Sequence, residues 1–250
     1  MTALRGWRVL IPRGGAWGEE LAEGLRRVGA EPVVAPLIAF APPPDDDALA
    51  AAVVALAAGE FDWLVVTSAT TVEALARHGA VVPSGTRVAV VGEHTGRATR
   101  EAGLPVDFTP AEASAKGLVA AWPGAPGDRV LLPQSELADA TLTEGLGALG
   151  AEVAQVTAYR TVPVAPEPGI AEAVAHGGFD AILVTAGSVA ARIADAFPEV
   201  AGRTVLVAIG PRTAGEAAAA GLNVHAVAEG RSGEAMIEAL EAIAGQRGEA

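Results

Sequence analysis

The stretch that decides the fold is Gln155-Val156-Thr157-Ala158-Tyr159-Arg160-Thr161-Val162-Pro163. Its β-branched and aromatic residues predict a strand, which ends where a proline-rich segment, 163–168, begins. A second β-rich run, 31–40, also ends in prolines, at 42–44. We therefore expect two strands that cross between two domains, with Tyr159, the only tyrosine of the chain, facing the cleft between them.

Working outward from this stretch, the sequence shows an internal repeat. Arg8-Val9-Leu10-Ile11-Pro12 matches Arg129-Val130-Leu131-Leu132-Pro133, and Phe61-Asp62 matches Phe179-Asp180. A third block around Gly92 and Thr95 matches one around Gly210 and Thr213. Three blocks in the same order and at nearly the same spacing indicate a duplication.

Apolar strands alternate with segments of helical spacing in both halves, which predicts an α/β fold with parallel sheets covered on both faces. If the runs 31–40 and 152–162 pair as a two-stranded connector, two similar domains result, the first formed by 1–38 plus 163–250 and the second by 39–162. The pattern alone is equally compatible with two consecutive domains, 1–124 and 125–250.

Composition limits the classes of function. The 250 residues carry a net charge of -13, one lysine (Lys116) and no cysteine. An acidic chain without basic runs argues against nucleic-acid partners. No apolar run is long enough for a membrane span, and the amino-terminal residues do not read as a secretion signal. We expect a cytoplasmic protein with no membrane association, no disulfides and no cysteine nucleophile.

Candidate ligand-binding residues follow the predicted strands, because ligands of parallel α/β sheets bind beyond the carboxyl ends of the strands, near helix N-termini. Small and hydroxylated residues there let a ligand approach the backbone, although each Ser or Thr can also be a simple helix cap. The candidates for ligand binding at these ends are Arg13, Thr67, Ser68, Gly92, Thr95, Gln134, Ser135, Thr185, Ser188, Gly210, Arg212 and Thr213.

Other chemistries lack their motifs. No Gly-x-Gly-x-x-Gly follows the first strand, and no P-loop or Gly-x-Ser-x-Gly sequence occurs. The four histidines show no metal-ligand spacing, so no metal site is predicted. Tyr159 has two readings: a phenol packed on the sheet with its hydroxyl bonded to a neighbour, or a proton donor to a leaving oxygen.

Four motifs together carry a resemblance to a known family: Thr67-Ser68-x-x-x-Val72, Ala89-Val90-Val91-Gly92 with Thr95, Val156-Thr157-Ala158-Tyr159-Arg160-Thr161, and Ala208-Ile209-Gly210-Pro211-Arg212-Thr213-Ala214. Over nearly its whole length the chain resembles the uroporphyrinogen-III synthases of tetrapyrrole biosynthesis. This sequence departs from the family's pattern in two loops. Ala69 occupies the position of a common proline, and residues 185–188 lie where Ser-Pro-Ser is frequent.

The resemblance implies two α/β domains joined by a two-stranded connector, with the active site in the cleft. It implies cyclisation of linear hydroxymethylbilane to uroporphyrinogen III, with loss of water and inversion of the last pyrrole ring through a spiro intermediate, without a cofactor. Tyr159 is then the proton donor, and Arg13, Lys116 and Arg212 are carboxylate partners. We expect a monomer. Two alternatives remain: a non-catalytic tetrapyrrole- or anion-binding protein on the same scaffold, and an unrelated two-domain sugar- or phosphate-binding protein.

Overall fold

The computed structural model describes residues 3–230 and 232–248. Strands and helices alternate along the chain, as the sequence predicts for an α/β fold. The strands are β1 (Arg8–Ile11), β2 (Glu31–Val34), β3 (Ile38–Ala41), β4 (Trp63–Val66), β5 (Arg87–Val90), β6 (Arg129–Ser135), β7 (Glu152–Pro163), β8 (Ala181–Val184), β9 (Val205–Ala208) and β10 (Ala226–Val227). The helices are α1 (Gly15–Arg27), α2 (Asp47–Ala57), α3 (Ala69–Arg77), α4 (Glu93–Glu101), α5 (Ala115–Ala120), α6 (Thr141–Ala148), α7 (Ile170–Ala175), α8 (Gly187–Ala196), α9 (Pro211–Ala219) and α10 (Gly233–Gly248).

The strands form two five-stranded sheets. The first has the order β10-β9-β8-β1-β2, and all its neighbouring strands are parallel. The second has the order β3-β7-β6-β4-β5, and the pairs among β5, β4, β6 and β7 are parallel. Parallel strands place all their carboxyl ends along one edge of the sheet, and in each unit the residues that follow those ends include the candidate binding residues.

Helices cover both faces of each sheet, because the central strands are apolar on both sides. All four residues of β4, β8 and β9 are buried. In the first sheet, Val9 packs with α1 and α10, whereas Leu10 packs on the opposite face with α7 and α8. In the second sheet, Leu131 faces α2 and α3, and Leu132 faces α5 and α6. This double burial is what parallel sheets require.

Contacts divide the chain into two compact units. The first unit consists of Met1–Ala39 and Val162–Ala250, and the second of Phe40–Thr161. The chain thus passes from one unit to the other within β3 and returns within β7, which are neighbours in the second sheet. The domain limits that the sequence suggests remain a prediction about independently folding parts.

Two strands differ from the sequence prediction. The run 31–40 is not one long strand: β2 ends at Val34 and β3 begins at Ile38, in different sheets. Pro36 explains the break, since proline has no N–H to donate and restricts the residue before it. The apolar residues of 104–109 also predict a short strand, but the structure has only one isolated bridge there, between Ala89 and Phe108.

Equivalent hydrogen bonds occur in the two units. The carboxylate of Asp180 accepts from the backbone N–H of Arg8 over 2.8 Å, and Asp62 accepts from Arg129 over the same 2.8 Å. In each case the carboxylate comes from the residue before a central strand and the N–H from the first residue of the neighbouring strand. These bonds hold the amino ends of the paired strands β1 and β8, and of β6 and β4, in register.

Among the helices of the described ranges, none combines the length and the apolar character that crossing a membrane requires.

Candidate functional site

Tyr159 lies in the second half of β7. Its hydroxyl contacts Ser68 at the start of α3, the helix that follows β4. Tyr159 Oη is 3.2 Å from Ser68 Oγ, a hydrogen bond in which either oxygen can donate. Tyr159 reaches this position because β7 pairs with β6 through a register shift at residues 134 and 135, which sets Ser135 opposite Tyr159. A predicted catalytic residue and a predicted binding residue are therefore in direct contact.

The Tyr159 ring also packs on Phe40 of β3. The two ring centroids are 5.3 Å apart with an interplanar angle of 78°, an edge-to-face arrangement. Phe40 is 39% exposed although it is a large apolar side chain. Edge-to-face aromatic pairs restrict ring orientation, so Phe40 and Ser68 together hold Tyr159 at its ring and at its hydroxyl.

Ser68 is the N-cap of α3. After the buried strand β4, the backbone of Ser68 is extended, with φ -153° and ψ 156°, and its side chain accepts a hydrogen bond from the N–H of Thr71. This is the usual geometry by which serine satisfies a free N–H at a helix start. Ser68 Oγ is also 3.0 Å from Thr71 Oγ1. Thr67, half-buried, precedes Ser68 at the end of β4.

Glycine or alanine occupies the N-cap of four helices that begin within four residues of a strand end, and no side chain caps these helices. Gly14 precedes α1, Gly92 precedes α4, Ala186 precedes α8 and Gly210 precedes α9. Uncapped N–H groups at the positive end of a helix bind anions well. Thr95 and Thr213, each the third residue of its helix, are both buried.

The segment before α5 lies against Gly92. A Cβ on Gly92 would be 3.0 Å from the Cβ of Ala113, so this position suits a residue without a side chain. Ser114 caps α5 by accepting from the N–H of Gly117 over 2.9 Å. Lys116, the second residue of α5, is exposed. A cation thus lies on a helix whose preceding segment contains Ala113, the neighbour of the uncapped start of α4.

Two predicted binding residues contain buried oxygens without a hydrogen-bond partner in the part of the chain that the structure describes. They are Gln134 Oε1 at the end of β6 and Thr185 Oγ1 after β8. Both residues are 4% exposed. Buried polar atoms normally have partners, and exceptions often mark functional sites. Ser135, next to Gln134, accepts a hydrogen bond from the N–H of Leu137 over 3.2 Å and so shapes the local turn.

Arg212 and Arg13 make contacts within the first unit. Arg212 Nε donates to Glu216 Oε1 over 3.0 Å within α9. The other oxygen of Glu216, Oε2, stands where a side chain on Gly187 would be, at the start of α8. Arg13 places its guanidinium 4.9 Å from the ring centroid of Trp17. The N-terminus of α8 therefore has a carboxylate of the protein beside it, and Ser188 is the next residue.

The structure brings some of the predicted residues together. Tyr159 and Ser68 make a direct contact, and Gly92 neighbours the segment that leads to Lys116. The residues that sequence reasoning missed are Phe40, Thr71 and Glu216. Thr71 could have been found as the third residue after a serine cap, and Glu216 by its spacing of four from Arg212. No sequence signal marks Phe40.

The chemistry available at these strand ends is hydrogen bonding and anion binding. No group of three or more His, Asp or Glu side chains that could hold a metal ion occurs in residues 3–230 and 232–248. What the strand ends offer is a phenol with a hydroxyl partner, open helix N-termini and a few cations. Such a set can donate a proton and hold carboxylates.

Comparisons with known proteins find uroporphyrinogen-III synthases or proteins named HemD. A family model described as Uroporphyrinogen-III synthase HemD matches residues 19–238. A uroporphyrinogen-III synthase of Synechococcus elongatus is 32% identical over 167 residues, covering 63% of this chain and 62% of that protein. The porphyrin biosynthesis protein HemD of Ruminiclostridium josui is 26% identical over 252 residues, covering 97% of this chain and 49% of that protein. The chain thus spans about half to two thirds of the length of these relatives.

Solved structures resemble the fold. Uroporphyrinogen-III synthetase of Helicobacter pylori has a TM-score of 0.65 at 16% identity, covering 96% of this chain and 99% of that chain. A mutant uroporphyrinogen III synthase of Thermus thermophilus has a TM-score of 0.63 at 22% identity, covering 97% of this chain and 100% of that chain. At these identities the likeness concerns the fold alone.

Proposed function

This chain belongs to the uroporphyrinogen-III synthase family, and from that premise we propose that it cyclises hydroxymethylbilane to uroporphyrinogen III. The observation that carries the proposal is the family match over residues 19–238, a range that includes Tyr159 and Ser68. The reaction releases water and inverts the last pyrrole ring through a spiro intermediate. In this proposal the chain acts as a monomer and without a cofactor.

Tyr159 is the proton donor in this proposal. The substrate loses its hydroxyl as water once that oxygen receives a proton, and this leaves an azafulvenium that a pyrrole carbon attacks. The pyrrole carbon that finally closes the ring releases a proton, which restores the phenol. A phenol O–H is a hydrogen-bond donor. The contacts of Tyr159 with Phe40 and Ser68 support this role, because they fix the position of its hydroxyl.

Most of the remaining work is positioning, because the substrate is already reactive. The substrate's carboxylates need groups that bind anions, although the protein as a whole is acidic, with a net charge of -13. We assign this role to the uncapped N-termini of α4 and α9, with Thr95 and Thr213 in their first turns. Arg13, Lys116 and Arg212 are the proposed cationic partners of the carboxylates. Arg212 also donates a hydrogen bond to Glu216.

The remaining predicted residues are proposed to contact the substrate by hydrogen bonds. The unpartnered buried oxygens of Gln134 and Thr185 support this role for the two residues. Ser135 is next to Gln134 in sequence, and Ser188 is three residues after Thr185. Thr67 follows β4 as Thr185 follows β8. We further propose that the two units arose by duplication, that β3 and β7 act as the connector, and that both units act on one substrate molecule in a cleft, as the resemblance implies.

Product analysis tests the proposal. The protein is incubated with fresh hydroxymethylbilane, the products are oxidised, and the uroporphyrin isomers are separated. We expect isomer III in excess of the spontaneous product. Isomer I alone, formed at the rate seen without protein, would rule out the enzyme and leave a tetrapyrrole-binding protein on the same fold.

The variant Tyr159→Phe tests the donor. We expect kcat to fall by roughly 100-fold, in the range typical for loss of a general acid, while isomer III is still formed slowly. The phenylalanine ring keeps the edge-to-face contact with Phe40, so the fold should not change. Full turnover by Tyr159→Phe would show that another group donates the proton.

A further inference from the structure

Three hydroxyl groups form a chain in the second unit, on Thr71, Ser68 and Tyr159. Ser68 Oγ lies 3.0 Å from Thr71 Oγ1 and 3.2 Å from Tyr159 Oη. It also accepts a hydrogen bond from the backbone N–H of Thr71 over 3.1 Å. The direction of the two hydroxyl bonds decides whether Tyr159 gives its proton to Ser68 or keeps it for a bound molecule.

Thr71 determines this direction. The residue is 0% exposed, and within the described ranges its hydroxyl has Ser68 Oγ as its hydrogen-bond partner. Leaving a buried hydroxyl proton without an acceptor costs free energy, so the Thr71 hydroxyl donates to Ser68. Ser68 Oγ then accepts from both the N–H and the O–H of Thr71, which occupies its two lone pairs. Its own proton is left for Tyr159 Oη.

We propose that Ser68 and Thr71 are positioning residues that orient the proton of Tyr159 outward, toward the leaving hydroxyl of the substrate. The proposal rests on the function proposed above. It gives Ser68 a role through Tyr159 in place of the substrate contact that the sequence suggested. Because Tyr159 Oη accepts from Ser68, the proton of Tyr159 is not held by Ser68 and remains available to a ligand.

The same chain supports Tyr159 after proton transfer. The proton moves from Tyr159 Oη to the leaving oxygen, the carbon–oxygen bond breaks and water departs. The phenolate keeps the hydrogen bond that Ser68 donates, without any second proton transfer. It also lies beside the N-cap of α3, where the helix dipole favours negative charge. The proton released at ring closure returns to the phenolate oxygen.

The first unit shows that the fold does not need these hydroxyls. There the N-cap of the helix after β8 is Ala186, and the third helical residue is Val189, at the positions that Ser68 and Thr71 occupy after β4. Val189 is as fully buried as Thr71, each 0% exposed. Valine and threonine have nearly the same shape, so the hydroxyl of Thr71 is a chemical feature rather than a packing requirement.

A double-mutant cycle separates a role through Tyr159 from a contact with substrate. We expect Ser68→Ala to lower kcat by about tenfold, the effect of losing one hydrogen bond, with KM unchanged. In the Tyr159→Phe background the same substitution should have no further effect on kcat. An increase in KM, or an equal loss in both backgrounds, would show that Ser68 binds substrate directly.

Thr71→Val tests the chain without removing the cap, because the backbone N–H that Ser68 accepts is retained. We expect kcat to fall by roughly three- to tenfold with KM unchanged, since Tyr159 can then donate to Ser68.

Ser68→Thr should restore most of the activity that Ser68→Ala loses. The matched control is Ser232→Ala, which removes a cap from the N–H of Ala235 in the first unit and should leave kcat unchanged. Unchanged kcat in Thr71→Val would overturn the proposal.

A spectroscopic measurement tests the hydrogen-bond direction independently of activity. Tyr159 is the only tyrosine, and the intensity ratio of its Raman Fermi doublet distinguishes a phenol that accepts from one that donates. Wild-type protein should show an accepting phenol, and Ser68→Ala should lose this signature. A donating phenol in the wild type would contradict the proposal. If the wild type made only isomer I, the proposed function would fail, whereas the Raman result would still decide the direction.

Discussion

At the scale of single residues, two helical glycines differ in what stands beside them. A Cβ on Gly18 of α1 would overlap the backbone carbonyl oxygen of Arg13, which precedes the helix. A Cβ on Gly187 of α8 would overlap Oε2 of Glu216, the end of a flexible side chain. Backbone cannot move without disturbing the loop after β1, whereas a side chain can rotate away.

Alanine substitution should therefore have opposite outcomes at these two positions. Gly→Ala in a helix normally stabilises by about 1 kcal/mol. We expect Gly18→Ala instead to lower the free energy of unfolding by roughly 1–3 kcal/mol, because the added methyl group overpacks against backbone. Gly187→Ala should be neutral or slightly stabilising. Urea unfolding of both variants measures this; equal effects of the two would mean that the Arg13 carbonyl adapts.

Residue-scale features of the site were only partly predictable. Tyr159 and Ser68 were identifiable from their motifs, but they are 91 positions apart, so their contact depends on the register of β7. Registers are set by long-range packing that a single sequence does not display. Phe40 carries no motif, and Thr71 is marked only by its place three residues after a serine cap. Both gain significance because the fold brings Phe40 to the Tyr159 ring and Thr71 to Ser68, the partner of the Tyr159 hydroxyl.

At the scale of elements, the alternation of strands and helices was predictable, but the limits of two strands were not. The apolar run 31–40 has strong β propensity, and propensity says nothing about which sheet a residue joins. Pro36 divides the run, so that β2 pairs in the first sheet and β3 in the second. The long strand over 152–162 was predicted correctly in extent, since β7 spans Glu152–Pro163.

The last helix makes a testable contribution to the first unit. Leu240 of α10 is 0% exposed and packs in the cluster that contains Leu21 and Leu25 of α1. We expect Leu240→Ala to lower the free energy of unfolding by about 2–4 kcal/mol, because it leaves a cavity in that core. Leu137→Ala is the control: Leu137 is 61% exposed, and its loss should change stability by less than about 0.5 kcal/mol. Urea denaturation followed by circular dichroism compares them, and equal midpoints would show that α10 adds little.

At the scale of the whole molecule, the two compact units do not follow one another along the chain. The second unit is one continuous segment, whereas the first combines both ends of the chain. The sequence repeat suggested two similar units, but it did not decide between consecutive and discontinuous domains. That choice depends on which strands pair, and β6 and β7 pair beside β4 in the second sheet.

A pair of fragments tests the discontinuous arrangement. Residues 38–163 contain all five strands of the second sheet and both hydrophobic clusters that cover it. We therefore expect this fragment to fold alone, with helical and strand circular dichroism and one cooperative urea transition. The matched fragment 1–124 is of similar length but separates β4 and β5 from β6 and β7, so its sheets are incomplete and we expect no cooperative transition. Cooperative folding of 1–124, with 38–163 unfolded, would instead favour two consecutive domains.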